Sequence, residues 1–192
     1  MDDHISIVSR KLLINLFGGP GSGKSTAAYS LFSVLKKKGM NVEVVPELIK
    51  SKVYRAEKLT IYDQWVNVAS QAREEDSRIS KCDIVICECP AKLSACYTEF
   101  YNDSEVIDGT CFRFLEWHHK KLNKKFPGLY VYNIFLEQPP KSIYQSAGRI
   151  EDYDSAKQVS QFIRQICQKD DIEILPFGSD IEHLGAIRRS VI

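Results

Sequence analysis

The chain has 192 residues, 44% apolar and 27% charged, with 26 basic against 25 acidic side chains and a formal net charge of +1. That size and mix fit one globular domain with a sizeable core, and the near balance of charge excludes bulk electrostatic capture of nucleic acid, though not a local patch. No apolar stretch approaches the length of a membrane span, and the opening MDDHISIVSRK lacks a signal-peptide core, so no membrane is expected as a partner.

Residues 1–10 read as a lead-in with an exposed His4. Leu12 to Phe17 is an apolar run of strand length. Gly18-Gly19-Pro20-Gly21-Ser22-Gly23 follows at once, then Lys24, Ser25, Thr26 and a helical pattern to about Lys38, where Gly39 supplies the stop. Strand, glycine-rich loop and helix in the spacing G-x-x-x-x-G-K-S form a phosphate-binding P-loop. The glycines let the backbone wrap a phosphate with no Cβ in the way, and the helix N-terminus adds its positive end. Lys24 can reach the β- and γ-phosphates, and Ser25 can ligand Mg²⁺.

Met40 to Val45 reads as a second strand closing at Pro46, which sets Glu47 at the carboxyl end of the strand, the ligand edge of an open α/β sheet. Residues 48–62 look like a helix running into a less regular segment, with Tyr54 and Arg55 exposed. A longer helix follows from about Tyr62 to Ser80. It carries Trp65, Val68, Ala69 and Ala72 on one side, and its run Arg73, Glu74, Glu75, Asp76, Arg78 reads as a wet face with i,i+4 ion pairs. Tyr54, Arg55, Tyr62 and Trp65 can stack on a base and reach a phosphate; the competing reading is that the aromatics pack helices onto the sheet. Asp83 to Cys87 is the clearest core strand. It ends in Glu88, and an apolar run closed by an acid is the usual second element of a P-loop site, able to hold the Mg²⁺ shell.

Cys89-Pro90-Ala91 opens a new element, and NDSEVIDGT before Cys111 is turn-rich. Cys111 to about Lys125 is helical, with Phe112, Leu115 and Leu122 toward the core; His118 and His119 point to different faces and read as surface residues. Leu129 to Leu136 is a fourth strand. A polar stretch with Pro139, Pro140 and Gly148 leads to a helix from Tyr153 to about Lys169. A fifth strand, Ile172 to Leu175, and a helix capped by Asp180 and running to about Arg189 close the chain. The cysteines at 82, 87, 89, 96, 111 and 167 contain no second close pair to complete a four-ligand zinc site, so free thiols in a reducing compartment, the cytoplasm, are expected.

The order of elements predicts a single α/β domain over 1–192. It is a three-layer αβα P-loop NTPase fold on a five-stranded, mainly parallel sheet, with a lid-like segment at about 138–152. Phosphoryl transfer needs little covalent help and much positioning. A cradle at residues 18–26, cations at Lys24 and Arg149, Mg²⁺, and Glu47 to take the acceptor proton supply it.

On LFGGPGSGKST, on Glu47 in VVPEL, on VICECP and on YQSAGRIEDYDSAKQ, the chain resembles the nucleoside and nucleotide kinase branch of P-loop proteins. Within that branch it is similar to the small ATP-binding kinases common in bacteriophage genomes, some of them proposed to phosphorylate 5-hydroxymethyl-pyrimidine bases in DNA. The resemblance implies ATP at the P-loop, Mg²⁺ near Ser25 and Glu88, Glu47 near the acceptor hydroxyl and Arg149 over the transferred phosphate. It implies a small-molecule or nucleic-acid acceptor, and a host's cytoplasm if the chain is phage-encoded. The oligomeric state stays open, a homodimer being one option. A GTP-binding switch would need an Asn-Lys-x-Asp segment, and Asn123-Lys124-Lys125-Phe126 lacks the Asp. The standing alternatives are a P-loop ATPase, a nucleotide-binding interaction module without kinase activity, and a kinase for another small metabolite.

Overall fold

The computed structural model describes residues 11–55, 57–58, 60–101, 109–146, 149 and 151–181. His4, the turn-rich stretch at 102–108, Gly148 and the expected last helix lie outside them. The elements are β1 (Leu12–Phe17), α1 (Lys24–Lys37), β2 (Val42–Val45), α2 (Lys50–Tyr54), α3 (Ile61–Ile79), β3 (Ile84–Cys87), α4 (Ala91–Phe100), α5 (Thr110–Lys125), β4 (Tyr130–Leu136), α6 (Tyr153–Cys167) and β5 (Ile172–Leu175). The five strands form one sheet in the order β2-β3-β1-β4-β5, and every pairing is parallel. The chain leaves β1 toward β2, then returns across β1 to β4. Right-handed crossovers running in opposite directions must cover opposite faces.

The two faces are unequal. Leu12, Ile14 and Leu16 of β1 pack with Val42, Ile84, Ile86 and Ile134 against Ala28, Leu31 and Leu35 of α1. The alternate residues, Leu13 and Phe17, face the other way, where Ile79 of α3, Leu93 and Cys96 of α4, Leu122 of α5, and Val159 and Ile163 of α6 cover the sheet. β1 is buried along its whole length, as the central strand of a doubly covered sheet should be. Among the described residues no helix is long and apolar enough to cross a membrane.

α3 departs from the sequence reading. Thr60 caps it reciprocally with Asp63, and Asp63 also pairs with Lys52 of α2 at 2.5 Å. Its inward face is not uniformly apolar. Asn67, Gln71 and Glu75 are buried beside Val68 and Ala72, and each has a partner. Asn67 donates to Ser94 Oγ at 3.2 Å, Gln71 donates to the Pro46 carbonyl, and Glu75 accepts the Ala91 amide at 2.6 Å. Glu75 is therefore not part of a wet ion-paired face. It satisfies the first amide of α4, one of the helix donors that have no intrahelical partner. Glu74 and Arg78 do form the expected i,i+4 pair. His118 is also buried, stacked near Phe114, and burial lowers its pKa, while His119 is exposed. The six cysteines are free and buried.

Burial raises the Glu75 carboxyl from 4.5 to about 7. A carboxyl raised in the folded state favours folding while it is protonated. Its contribution is complete below pH 4.5 and is lost as pH rises toward 7. Glu75→Gln should match the wild type at pH 4.5 and exceed it by up to about 3 kcal/mol at pH 8. Urea unfolding at the two pH values reads this; a difference independent of pH would contradict a proton-bound Glu75.

Candidate active site

The carboxyl edge of the sheet at β1 gathers the chemistry. Gly23 takes a left-handed φ of 88° at the N-cap of α1, so the chain turns from the loop straight into the helix. The first turn, Lys24-Ser25-Thr26, carries no acid and no side chain caps it. That leaves the helix N–H groups and their positive end to an anion. Gly19 has a packing reason as well: a methyl there would come within 2.6 Å of Ser160 Cβ and 2.9 Å of the Ala156 carbonyl. Lys24 is buried, and its Nζ donates to the carbonyls of Gly18 and Gly19 at 2.8 and 2.9 Å. Burial lowers its pKa, against the pull of Glu47. Ser22 Oγ and Arg149 Nη1 are buried with no protein partner.

Ser25 and Glu88, 63 positions apart, meet: Ser25 Oγ donates to Glu88 Oε1. A third residue joins them. Lys50, the first residue of α2, places Nζ 3.1 Å from Ser25 Oγ and 3.4 Å from Glu88 Oε1. Two hard oxygen donors thus converge on one cation, the donor chemistry of a magnesium-type site.

Glu47 sits on the wall of the same cavity, which has a volume of about 490 Å³. Loss of water raises its carboxyl pKa, with Lys24 opposing and Glu88 adding to the rise. Its loop is clamped by Gln71, which donates to the Pro46 carbonyl at 3.1 Å and accepts the Leu48 amide at 3.4 Å. Arg149 also lines the cavity, with its guanidinium 5.2 Å from the Tyr144 ring centre. Described residues on either side of it are tied to the rest of the fold. Gln138 donates to the Pro20 carbonyl at 2.7 Å, and Tyr101, the residue that follows α4, donates to Glu151 Oε1 at 2.5 Å.

Of the residues read from the sequence as acceptor contacts, Tyr54 lines the rim of the cavity. Arg55 and Trp65 do not. α2 ends at Tyr54, and Arg55 turns into solvent against Glu57. Trp65 stands three and seven residues before Val68 and Ala72 and packs with them between α3, α4 and α5. Tyr62 is 80% exposed and lies outside the cavity wall. Gln64, Asn67, Ser94, Tyr97 and Tyr101 line it instead. The helical spacing of 64 and 67 was the one signal for the first two.

The sheet order, the glycine loop and the carboxylate at the end of β3 define the P-loop NTPase fold, in its nucleoside and nucleotide kinase form. The chain belongs to the AAA domain family, whose model matches residues 13–182. Among solved structures it is similar to thymidylate kinase from Ehrlichia chaffeensis, at 14% identity and a TM-score of 0.58, over 94% of this chain and 99% of that one. It is equally similar to deoxyadenosine kinase from M. mycoides, solved with dCMP and dCDP, at 14% identity and a TM-score of 0.59, over 94% and 100%. No curated protein matches the sequence.

The clamp on the Glu47 loop can be tested without any substrate. Gln71→Leu keeps the volume but leaves the Pro46 carbonyl and the Leu48 amide unpaired, at a cost of about 1–3 kcal/mol. Hydrogen exchange should rise at Leu48 and not in β1. Unchanged protection at Leu48 would show that Gln71 does not hold the loop.

Proposed function

We propose that this chain is an ATP-dependent phosphotransferase whose acceptor is a hydroxyl of a nucleoside, a nucleotide or a modified base in DNA. The reading is carried by one observation: an uncapped helix N-terminus behind a glycine loop, Glu47, Arg149, and Ser25 with its hydroxyl bonded to Glu88 meet at one cavity, which Ser25, Glu47 and Arg149 line. The fold shared with two kinases of nucleosides and nucleotides supports it.

In this reading the loop from Gly18 to Gly23 and the first turn of α1 receive the phosphates of ATP. Lys24 exchanges its two loop carbonyls for phosphate oxygens. Ser25 and Glu88 would hold Mg²⁺, which when bound neutralises charge on the phosphate chain. The acceptor oxygen attacks the γ-phosphorus, the bond from that phosphorus to the ADP oxygen breaks, and the acceptor proton passes to the Glu47 carboxylate. A carboxyl raised by burial is better matched to that proton than an exposed one. Arg149, with a guanidinium nitrogen lacking a protein partner, meets the charge on the transferring group. The segment at 138–152 acts as a lid that keeps water from competing as acceptor.

Calorimetry with Mg²⁺-ATP should give one site. Lys24→Ala should abolish transfer of labelled γ-phosphate with the melting temperature little changed, and Glu47→Gln should slow transfer by roughly 10²–10⁴-fold with ATP binding retained. Steady ATP hydrolysis that no acceptor diverts would replace the kinase by an ATPase. Amide exchange at 138–146 should slow when ATP and acceptor bind together, and equal exchange in both states would remove the lid.

A further inference from the structure

The cationic groups of the cavity are gathered at one end. Among the described residues its cationic lining side chains are Lys24, Lys50 and Arg149, and all three lie against the P-loop end. Lys24 rests on the Gly18 and Gly19 carbonyls, and Lys50 on Ser25 and Glu88. A side-chain carbon built on Gly21 would stand 3.5 Å from Arg149 Cζ. These cations face the place where a triphosphate would bring its charge.

The remaining wall is different in kind. Gln64, Asn67, Ser94 and Tyr97 are neutral hydrogen-bonding groups, and besides the three cations the charged side chains of the lining are the carboxylates Glu47 and Glu151, both within electrostatic reach of Lys24. Among the described residues, several cations of the surrounding elements are committed elsewhere. Lys52 pairs with Asp63 and Arg55 with Glu57; Lys92 pairs with Asp170, and Arg113 donates to Thr110 Oγ1. An acceptor phosphate would bring about two further negative charges into a half-enclosed space beside two carboxylates. Like charges there cost more than in open water. A neutral polar molecule meets amides and hydroxyls instead, which serve as donors and acceptors without a net charge.

From this division we infer that the acceptor carries no phosphate of its own: it is a neutral, nucleoside-sized molecule, held by Gln64, Asn67 and Ser94 with its hydroxyl toward Glu47. The inference rests on the kinase reading above and narrows it. It places a nucleoside ahead of a nucleoside monophosphate, and ahead of a DNA strand, whose phosphates would need a basic track.

The test is a comparison of kcat/KM for γ-phosphate transfer to nucleosides, their 5′-monophosphates and oligonucleotides containing 5-hydroxymethyl-pyrimidines, all with Mg²⁺-ATP. Nucleosides should exceed their monophosphates by at least about ten-fold, the size of a modest charge penalty. Glu151→Gln, which keeps a partner for Tyr101 while removing one carboxylate, should narrow that ratio by improving the monophosphates. Equilibrium binding to the wild type with a nonhydrolysable ATP analogue should rank the compounds in the same order. Preference for a monophosphate or an oligonucleotide would overturn the neutral acceptor and leave the kinase standing. Transfer to no compound in the panel would bring down both.

Discussion

The carboxyl edge depends on the parallel pairing of β1 with β3. Their register sets Asn15 opposite Cys87, so β3 ends two residues earlier than β1, which continues through Leu16 and Phe17 against β4 alone. Glu88 therefore leaves the sheet below the level where the glycine loop begins. The loop then curls back, and the first turn of α1 descends to it. A serine and a carboxylate distant in sequence reach hydrogen-bond contact because two strands stop at different heights. A slip of one residue would turn every β1 side chain to the opposite face and break the site and both cores together.

The same edge is organised from the other side by α3. Its buried polar residues recur at helical spacing, and each holds something different: Asn67 the α4 hydroxyl of Ser94, Gln71 the loop that carries Glu47, Glu75 the start of α4. Replacing any one with an apolar group would leave a backbone or side-chain partner unpaired in the interior, which costs more than the bond itself contributes. The helix is thus a spacer whose polar side fixes the separation of the α4 wall of the cavity from the loop that carries Glu47.

Much of this was legible in the sequence. The five strands, the P-loop and the acid after β3 are local patterns, and strand and helix periods report them directly. Residues whose role depends on a partner far along the chain were not. Glu75 sits in a run of charges that looks solvated, because the covering layer of α4 and α5 cannot be seen from α3 alone. Trp65 has the chemistry of a stacking platform but the spacing of a core residue, and the spacing prevailed. Lys50 and the Tyr101–Glu151 contact carry no motif; the latter joins positions 50 residues apart. His118 was read, with His119, as a surface residue; its burial depends on helix packing that the sequence around it does not show.

One feature of the core has a use of its own. All six thiols lie in the clusters on the α3–α6 side of the sheet, and none in the cluster beneath α1. Buried in that layer, they are shielded from alkylating reagents while it is closed. The rate at which a thiol reagent modifies the native chain therefore measures the opening of one layer, and loosening of the α1 face leaves no mark. The protein carries a built-in one-sided label that reports when the α3–α6 layer opens.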